Sequence, residues 1–288
     1  EEAVEPEPLA EITEPVLVDA EGEPLVMATE ETAETLAVAD PYFISGGTTY
    51  SFYQTAGACA GALNCWDGLA NPIQYAIDYI QVNATAPDDG RIYIEKATYA
   101  GNVTIDGSLS NLNTLTGLVG LPTGGLFPTL TGTLTIGNHD SGFELIGLNV
   151  TGGILIHDSQ GQFYVDTVSG NLTFDDTNSD GFTGHGIHIK NHKGNIVLDN
   201  AISRNNTGRG VFIENQLSGN VTIFNSAYYE NNGSHGLKIQ AKGTVTLDGV
   251  HANGNNIGIV VDTCTSLTIK NSEANNNHTA GIWVEATG

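Results

Sequence analysis

Basic residues are scarce in this sequence of 288 residues: nine Lys and Arg stand against 33 Asp and Glu, a formal net charge of -24. Nucleic acids and anionic membrane surfaces are held by Lys and Arg that replace counterions, so neither is an expected partner. No apolar run reaches the ~20 residues that a spanning helix needs, and no charged, apolar, small-residue leader opens the chain, so membrane insertion is not expected. Glu1 stands where a Met would begin a primary translation product, as expected if a leader has been removed or the chain is a piece of a longer polypeptide. Cysteine is limited to three residues, too few for a small scaffold built on disulfides. Little Lys beside abundant Asn, Thr, Ser and Gly fits a secreted bacterial surface protein, so an extracellular or cell-surface location is expected.

What the chain does have is repetition. From Gly184 to Gly288 one unit recurs about four times, with a Gly at 186, 210, 236, 258 and 281, that is, at steps of 24, 26, 22 and 23 residues. Each unit holds two short runs that alternate apolar with other residues at period two, the mark of a half-buried strand. In the first run Ile187 and Ile189 align with Val211 and Ile213, Leu237 and Ile239, Ile259 and Val261, and Ile282 and Val284. In the second, Ile196 and Leu198 align with Val221 and Ile223, Val245 and Leu247, and Leu267 and Ile269. Both sets are expected to point inward. The residues between those of the first run (His188, Phe212, Lys238, Val260, Trp283) share no chemistry and read as an outer face. Asn recurs at Asn200, Asn225 and Asn271, with Gly249 in the remaining unit, and at Asn206, Asn231, Asn255 and Asn277. Asn tolerates the left-handed backbone of tight corners and its amides can bond from coil to coil, so these columns read as turn ladders.

This pattern resembles the right-handed parallel β-helix repeat family, the pectin-lyase-like solenoids, over residues 71–288. The resemblance implies an all-β fold, a right-handed single-stranded parallel β-helix. Its members include polysaccharide lyases and hydrolases, phage tailspikes, adhesins and surface-layer proteins, so it implies no single activity.

Three segments are expected along the chain. Residues 1–40 carry 11 Glu, two Asp and no Lys or Arg, the composition of an extended, solvated segment. Its patches Val16, Leu17, Val18 and Leu25, Val26, Met27 could add strands to a neighbour. Residues 41–70 turn Gly- and aromatic-rich, and Cys59 and Cys65 are spaced for a local disulfide, leaving Cys264 over. From residue 71 the solenoid begins. Ile73, Ala76, Ile77 and Ile80 fall at helical spacing behind Asn71 as N-cap and Pro72 at the first helical position. In the family that this pattern resembles, such a helix covers the first coil, for which Ile92, Ile94, Val103 and Ile105 are the expected inward residues. Residues 107–130 carry no readable register. Leu134 to Ile154 and Phe143 to Phe163 repeat at 20 residues, and the 33 residues from Gly153 to Gly186 read as a coil with an insertion, NLTFDDTNSDGFT.

That stretch holds the candidate chemistry. Asp176, Asn178, Asp180 and Gly181 spell the first half of an EF-hand-type loop, in which alternate oxygens before a Gly turn wrap a hard cation; the candidate ligands for Ca²⁺ are Asp176, Asn178, Asp180 and the Phe182 carbonyl. Ile187 stands where that motif has its bidentate Glu. Asp175, Asp176 and Gly184-His185-Gly186 are similar to the paired-Asp and Gly-His-Gly elements of polygalacturonase-like hydrolases, but lie less than half a coil apart and are not expected to stack. A lyase needs acidic Ca²⁺ ligands beside an Arg or Lys base, and Arg204 and Arg209 have no evident acidic column next to them, since Tyr229 and Asn253 take the equivalent places. Outward Thr residues in the second run read as β-branched strand residues. Eight N-x-S/T sequons fall mostly on turn Asn residues.

No catalytic set converges, so the sequence points to an extracellular structural protein that self-associates head to tail into a filament or adhesive stalk. Ile282 and Val284 at one end and the patches in 1–40 are the candidate assembly residues. A surface polysaccharide is the candidate partner, and a polysaccharide-processing enzyme the competing reading.

Overall fold

The computed structural model describes residues 41–109, 112–214 and 216–285. Residues 1–40, and with them Val16, Leu17, Val18, Leu25, Val26 and Met27, lie outside the described residues.

Alternation decides the architecture. A strand with apolar residues at every second position must bury one face, and here each coil buries it against the coils before and after. Ile187 and Ile189 pair in parallel register with Val211 and Ile213, and so on through Leu237 and Ile239, Ile259 and Val261, to Ile282 and Val284. Ile196 and Leu198 begin the second column, through Val221 and Ile223, Val245 and Leu247, to Leu267 and Ile269. The result is a parallel β-solenoid with a long sheet of 12 strands and a second sheet of eight, joined by short pairings at the corners. Its interior is one continuous apolar stack, in which Ile92, Ile105, Phe163, Ile189, Ile213, Leu247 and Val261 are no more than 1 % exposed.

The register departs from the sequence reading in three places. Residues 171–183 are no insertion, because Leu172–Asp175 is a regular strand of the second sheet between Ile154–His157 and Ile196–Asp199. Gly153 precedes a strand of the second sheet and Gly186 one of the long sheet. Both strands alternate at period two, so a count from one to the other adds half a coil. Within 107–130 the strand Gly117–Leu121 takes a regular place in the long sheet, paired between Arg91–Glu95 and Phe143–Ile146.

The third departure lies in the Asn columns. At the first corner Asn138, Asp158, Asp176, Asn200, Asn225, Gly249 and Asn271 all take left-handed backbone, φ 47 to 74°. The second column is Asn206, Asn232, Asn255 and Asn277, and Asn231 is instead a left-handed residue beside it, φ 52°. Two successive left-handed residues, Asn225 and Ser226, put one extra residue into that corner and shift the rest of the coil by one. Each amide in the buried column accepts from the backbone N–H of its counterpart in the preceding coil (Asn206 N to Asn232 Oδ1 3.1 Å, Asn232 N to Asn255 Oδ1 2.8 Å, Asn255 N to Asn277 Oδ1 2.8 Å). The recurring Gly has its reason here: a Cβ on Gly236 would come within 2.6 Å of Asn255 Nδ2 and 2.5 Å of the Tyr229 carbonyl.

The beginning of the solenoid is covered. The helix Pro72–Asn83 is capped by Asn71, whose side chain accepts from Gln74 N–H at 3.2 Å, and buries Ile73, Ala76, Ile77 and Ile80. Gln74 then acts as a substitute strand on the edge of Val103–Asp106: its Oε1 accepts from Thr104 N–H (2.6 Å) and its Nε2 donates to Thr104 C=O (3.2 Å). The long sheet is extended by the antiparallel hairpin Tyr42–Ser45 and Thr48–Phe52, which meets the first coil where Tyr42 pairs with Tyr93. Phe43, Tyr50, Phe52, Trp66 and Tyr79 pack together over this end, and Cys59 and Cys65 are joined there, Cα atoms 5.6 Å apart. At the far end Ala280–Val284 has a described neighbour on one side only. Ile282 and Val284 are 47 % and 46 % exposed, against 0 % for Ile259 and Val261 one coil earlier.

Candidate functional site

The calcium candidates come first. Along this stretch Thr177 and Ser179 point inward and Asn178 and Asp180 outward, so the chain is extended here and does not wrap around a point. Asp176 accepts from Asn200 Nδ2 at 2.6 Å. Asp180 accepts from the Arg204 backbone N–H and pairs with its guanidinium, both at 2.8 Å. The Phe182 carbonyl accepts from Thr207 N–H at 3.0 Å. Only Asn178 Oδ1 is buried without a partner. Among the described residues no group of three or more His, Cys, Asp or Glu side chains is placed to hold a metal.

The polygalacturonase-like elements do not meet, since Asp175 lies on the second sheet and His185 precedes a strand of the long one. Arg204, by contrast, has the acidic neighbours that the sequence reading denied it. Its column runs Asp180, Arg204, Glu230, Asn253, because the extra residue at Asn225–Ser226 puts Glu230 where Tyr229 was expected.

Chemistry gathers instead on the outer face of the long sheet, where the sequence reading expected none. The strands Phe163–Asp166, Ile187–Lys190 and Val211–Glu214 pair in register, which stacks the outward Tyr164, His188 and Phe212. Their ring centroids are 5.2 and 4.9 Å apart, about the spacing of neighbouring strands. The next outward position adds carboxylates: Tyr164 donates to Asp166 Oδ2 at 2.9 Å, and His188 Nε2 lies 3.0 Å from Glu214 Oε2. Burial, followed by the Asp166 contact, holds the Tyr164 phenol far above its usual range, so at neutral pH it is a hydrogen-bond donor and not a base.

On the other side of the stack stand His185 and Arg209. His185 is edge-on to both His188 and Phe212, and the Arg209 guanidinium lies 4.2 Å from the Phe212 ring centroid. Enclosed this way, Phe212 is only 8 % exposed although it points outward. Burial and the Arg209 charge pull His185 down to about 4, so its ring is neutral at ordinary pH. Between this wall and the preceding coils runs a groove of about 330 Å³ lined by Glu144, Gln162, Tyr164, Gly184, His185 and His188. Glu144 is held at its rim by Arg91, 2.7 Å away. A second groove, about 370 Å³, crosses the outer face of the second sheet, but Thr133, Thr135, Leu155, Asn171 and Thr173 there supply no titratable group.

The first groove offers one carboxylate, an amide, a phenol and two imidazoles, with Glu144, Tyr164 and His188 in register on successive coils. Sequence reasoning had His188 and Phe212 in the correct outward column and missed the site, because the shared chemistry depends on partners from flanking columns: His185, Arg209 and Glu214. The signal was present in Tyr164-His188-Phe212, and became legible only with Phe163–Asp166 placed in the same sheet.

Coils of two in-register parallel strands around an apolar stack define the class as a parallel β-solenoid. More specifically, the profile of the right-handed beta helix region matches residues 134–288, more than half of the sequence, and the chain belongs to that family. Comparison with curated proteins and with solved structures finds no match.

Proposed function

We propose that the protein is an extracellular β-helix that binds a polysaccharide along the outer face of its long sheet. The observation that carries this reading is the groove in which the polar side chains of Glu144, Tyr164 and His188 stand in register on successive coils. A linear polymer of repeating units suits a surface of repeating positions, and a rigid sheet holds the side chains without an ordering cost on binding. The bond between Cys59 and Cys65 supports an oxidising, extracellular setting. A panel of immobilised plant and bacterial polysaccharides tests it, with retention of the wild-type chain compared with Tyr164→Ala and His188→Ala. Retention of at least one polysaccharide, weakened by both variants, is the expected result. No retention, or equal retention by all three proteins, removes the reading. If the retained polymer is also cleaved, and His188→Ala stops cleavage, the competing assignment of a polysaccharide-processing enzyme takes its place.

End-to-end self-association is a second reading: Ile282 and Val284, on the last described strand Ala280–Val284, are about half exposed, and an apolar strand edge can pair with another chain. A head-to-tail contact of this kind propagates into a filament. Electron microscopy of the full chain, of Ile282→Lys and of the chain lacking residues 1–40 distinguishes the cases. Filaments lost in the Lys variant support stacking at this edge, and filaments lost on deletion support strand addition by 1–40. Monomers throughout refute assembly.

A further inference from the structure

The groove's neighbour Arg209 presents a conflict of hydrogen-bond donors. Its backbone N–H donates to His185 Nδ1 at 3.0 Å, so that nitrogen carries a lone pair. A neutral imidazole protonates one nitrogen, and the proton of His185 is therefore on Nε2. His185 Nε2 in turn faces Arg209 Nη1 at 3.3 Å, which is also a donor. Two N–H groups are thus aimed at the same place with no oxygen between them. A third donor, Arg209 Nε, is buried without a partner.

The charge of Arg209 also lacks a direct partner. The other two arginines are paired, Arg91 with Glu144 and Arg204 with Asp180, and among the described residues Arg209 has no carboxylate within ion-pair distance. Glu214 and Asp262 act on this guanidinium only through space and make their direct contacts elsewhere: Glu214 with His188, and Asp262 with Lys238 at 2.9 Å and with Gln240. Stacking on Phe212 fixes the guanidinium plane and lowers its access to water.

We propose that Arg209 and His185 form an oxyanion-binding point on the outer face of the long sheet, taking a carboxylate or sulfate group borne by a polysaccharide. An anionic oxygen that bridges Arg209 Nη1 and His185 Nε2 from the open side accepts from both, removes the repulsion and pairs the guanidinium. The proposal rests on the polysaccharide reading and adds to it the class of polymer: an acidic one, either uronate-bearing or sulfated.

Calorimetric titration of the full chain tests it with three probes: a galacturonate hexamer, the same hexamer reduced to galactose, and a sulfated galactose hexamer. The expected result is that at least one acidic hexamer binds tighter than the neutral one by roughly tenfold or more, with the better of the two naming the source. Arg209→Gln should erase that preference, and Arg209→Lys should keep only part of it, since a point charge lacks the fork. Thermal melts of both variants check that they fold. Equal affinity for acidic and neutral hexamers overturns the oxyanion point and leaves the polysaccharide reading standing. If no hexamer binds, titration with inorganic sulfate, followed by NMR at Arg209 Nε–H and His185 Nε2–H, decides it alone. A saturating shift lost in Arg209→Gln upholds the point, and no shift overturns it.

Discussion

His192 is fully enclosed, and neither of its ring nitrogens makes a well-formed hydrogen bond, although backbone groups of Gly170, Asn195 and Val168 lie close enough to favour its charged form weakly. Residues one coil back at this corner are Val168 and, before it, Leu148, both apolar, so the imidazole occupies a place made for hydrocarbon. Burial pulls its pKa down to about 4, from an unfolded value of 6.5. Between those values the unfolded chain takes up a proton that the folded chain does not, so stability falls as pH drops from 6.5 towards 4 and loses nothing further below. The shift corresponds to a loss on the order of 3 kcal/mol. His185 acts in the same direction. Urea unfolding at several pH values should therefore show a smaller acid loss for His192→Leu than for the wild type; parallel curves would contradict the assignment. Calcium at Asp176, Asn178, Asp180 and the Phe182 carbonyl is a proposal of the same scale. Such an ion must compete with Arg204 for Asp180, so chelation should leave the melting temperature unchanged, while Arg204→Ala lowers it. A clear drop on chelation that Asp180→Ala abolishes would establish the ion instead.

At the scale of the strand, inward and outward positions should differ sharply in cost. Ile213 lies between Ile189 and Ile239 in the stack and is fully buried, so Ile213→Ala should destabilise by ~2 to 5 kcal/mol as a cavity. Thr222 points outward from the second sheet, and Thr222→Ala should stay within about 0.5 kcal/mol. Equal losses in chemical unfolding would mean that the two faces are interchanged. These faces were legible in the sequence because period two leaves no other choice for Ile-x-Ile or Val-x-Ile, and the helix was legible because Asn71, Pro72 and the spacing of Ile73, Ile77 and Ile80 agree. Corners were less legible. Asn serves both as left-handed turn residue and as buried amide, so Asn231 and Asn232 compete for one column, and only the backbone at Asn225–Ser226 decides between them. The groove was hidden for a related reason: Tyr164, His188 and Phe212 come together across coils of 24 residues, and a misplaced strand at 172–175 breaks that alignment.

Across the described solenoid the two ends are unlike. Gln74 closes one edge with its side-chain amide, and Ala280–Val284 is the last described strand at the other. Between them every coil is joined to the next by backbone bonds that run along the axis, as in Ile187 N–H to Gly210 C=O at 3.0 Å and Phe163 N–H to Gly186 C=O at 2.9 Å. That direction has a mechanical consequence. Tension applied along the axis does not load all the bonds of a sheet together; it opens the bonds of the outermost coil first and then passes to the next. Each coil of the Phe163-Ile187-Val211 type holds 24 residues, so each should lengthen the tether by roughly 80 Å as it peels away. An optical trap pulling on the ends of the solenoid should record a ladder of such steps at modest force, and one abrupt extension of the whole length would show that the coils share the load after all.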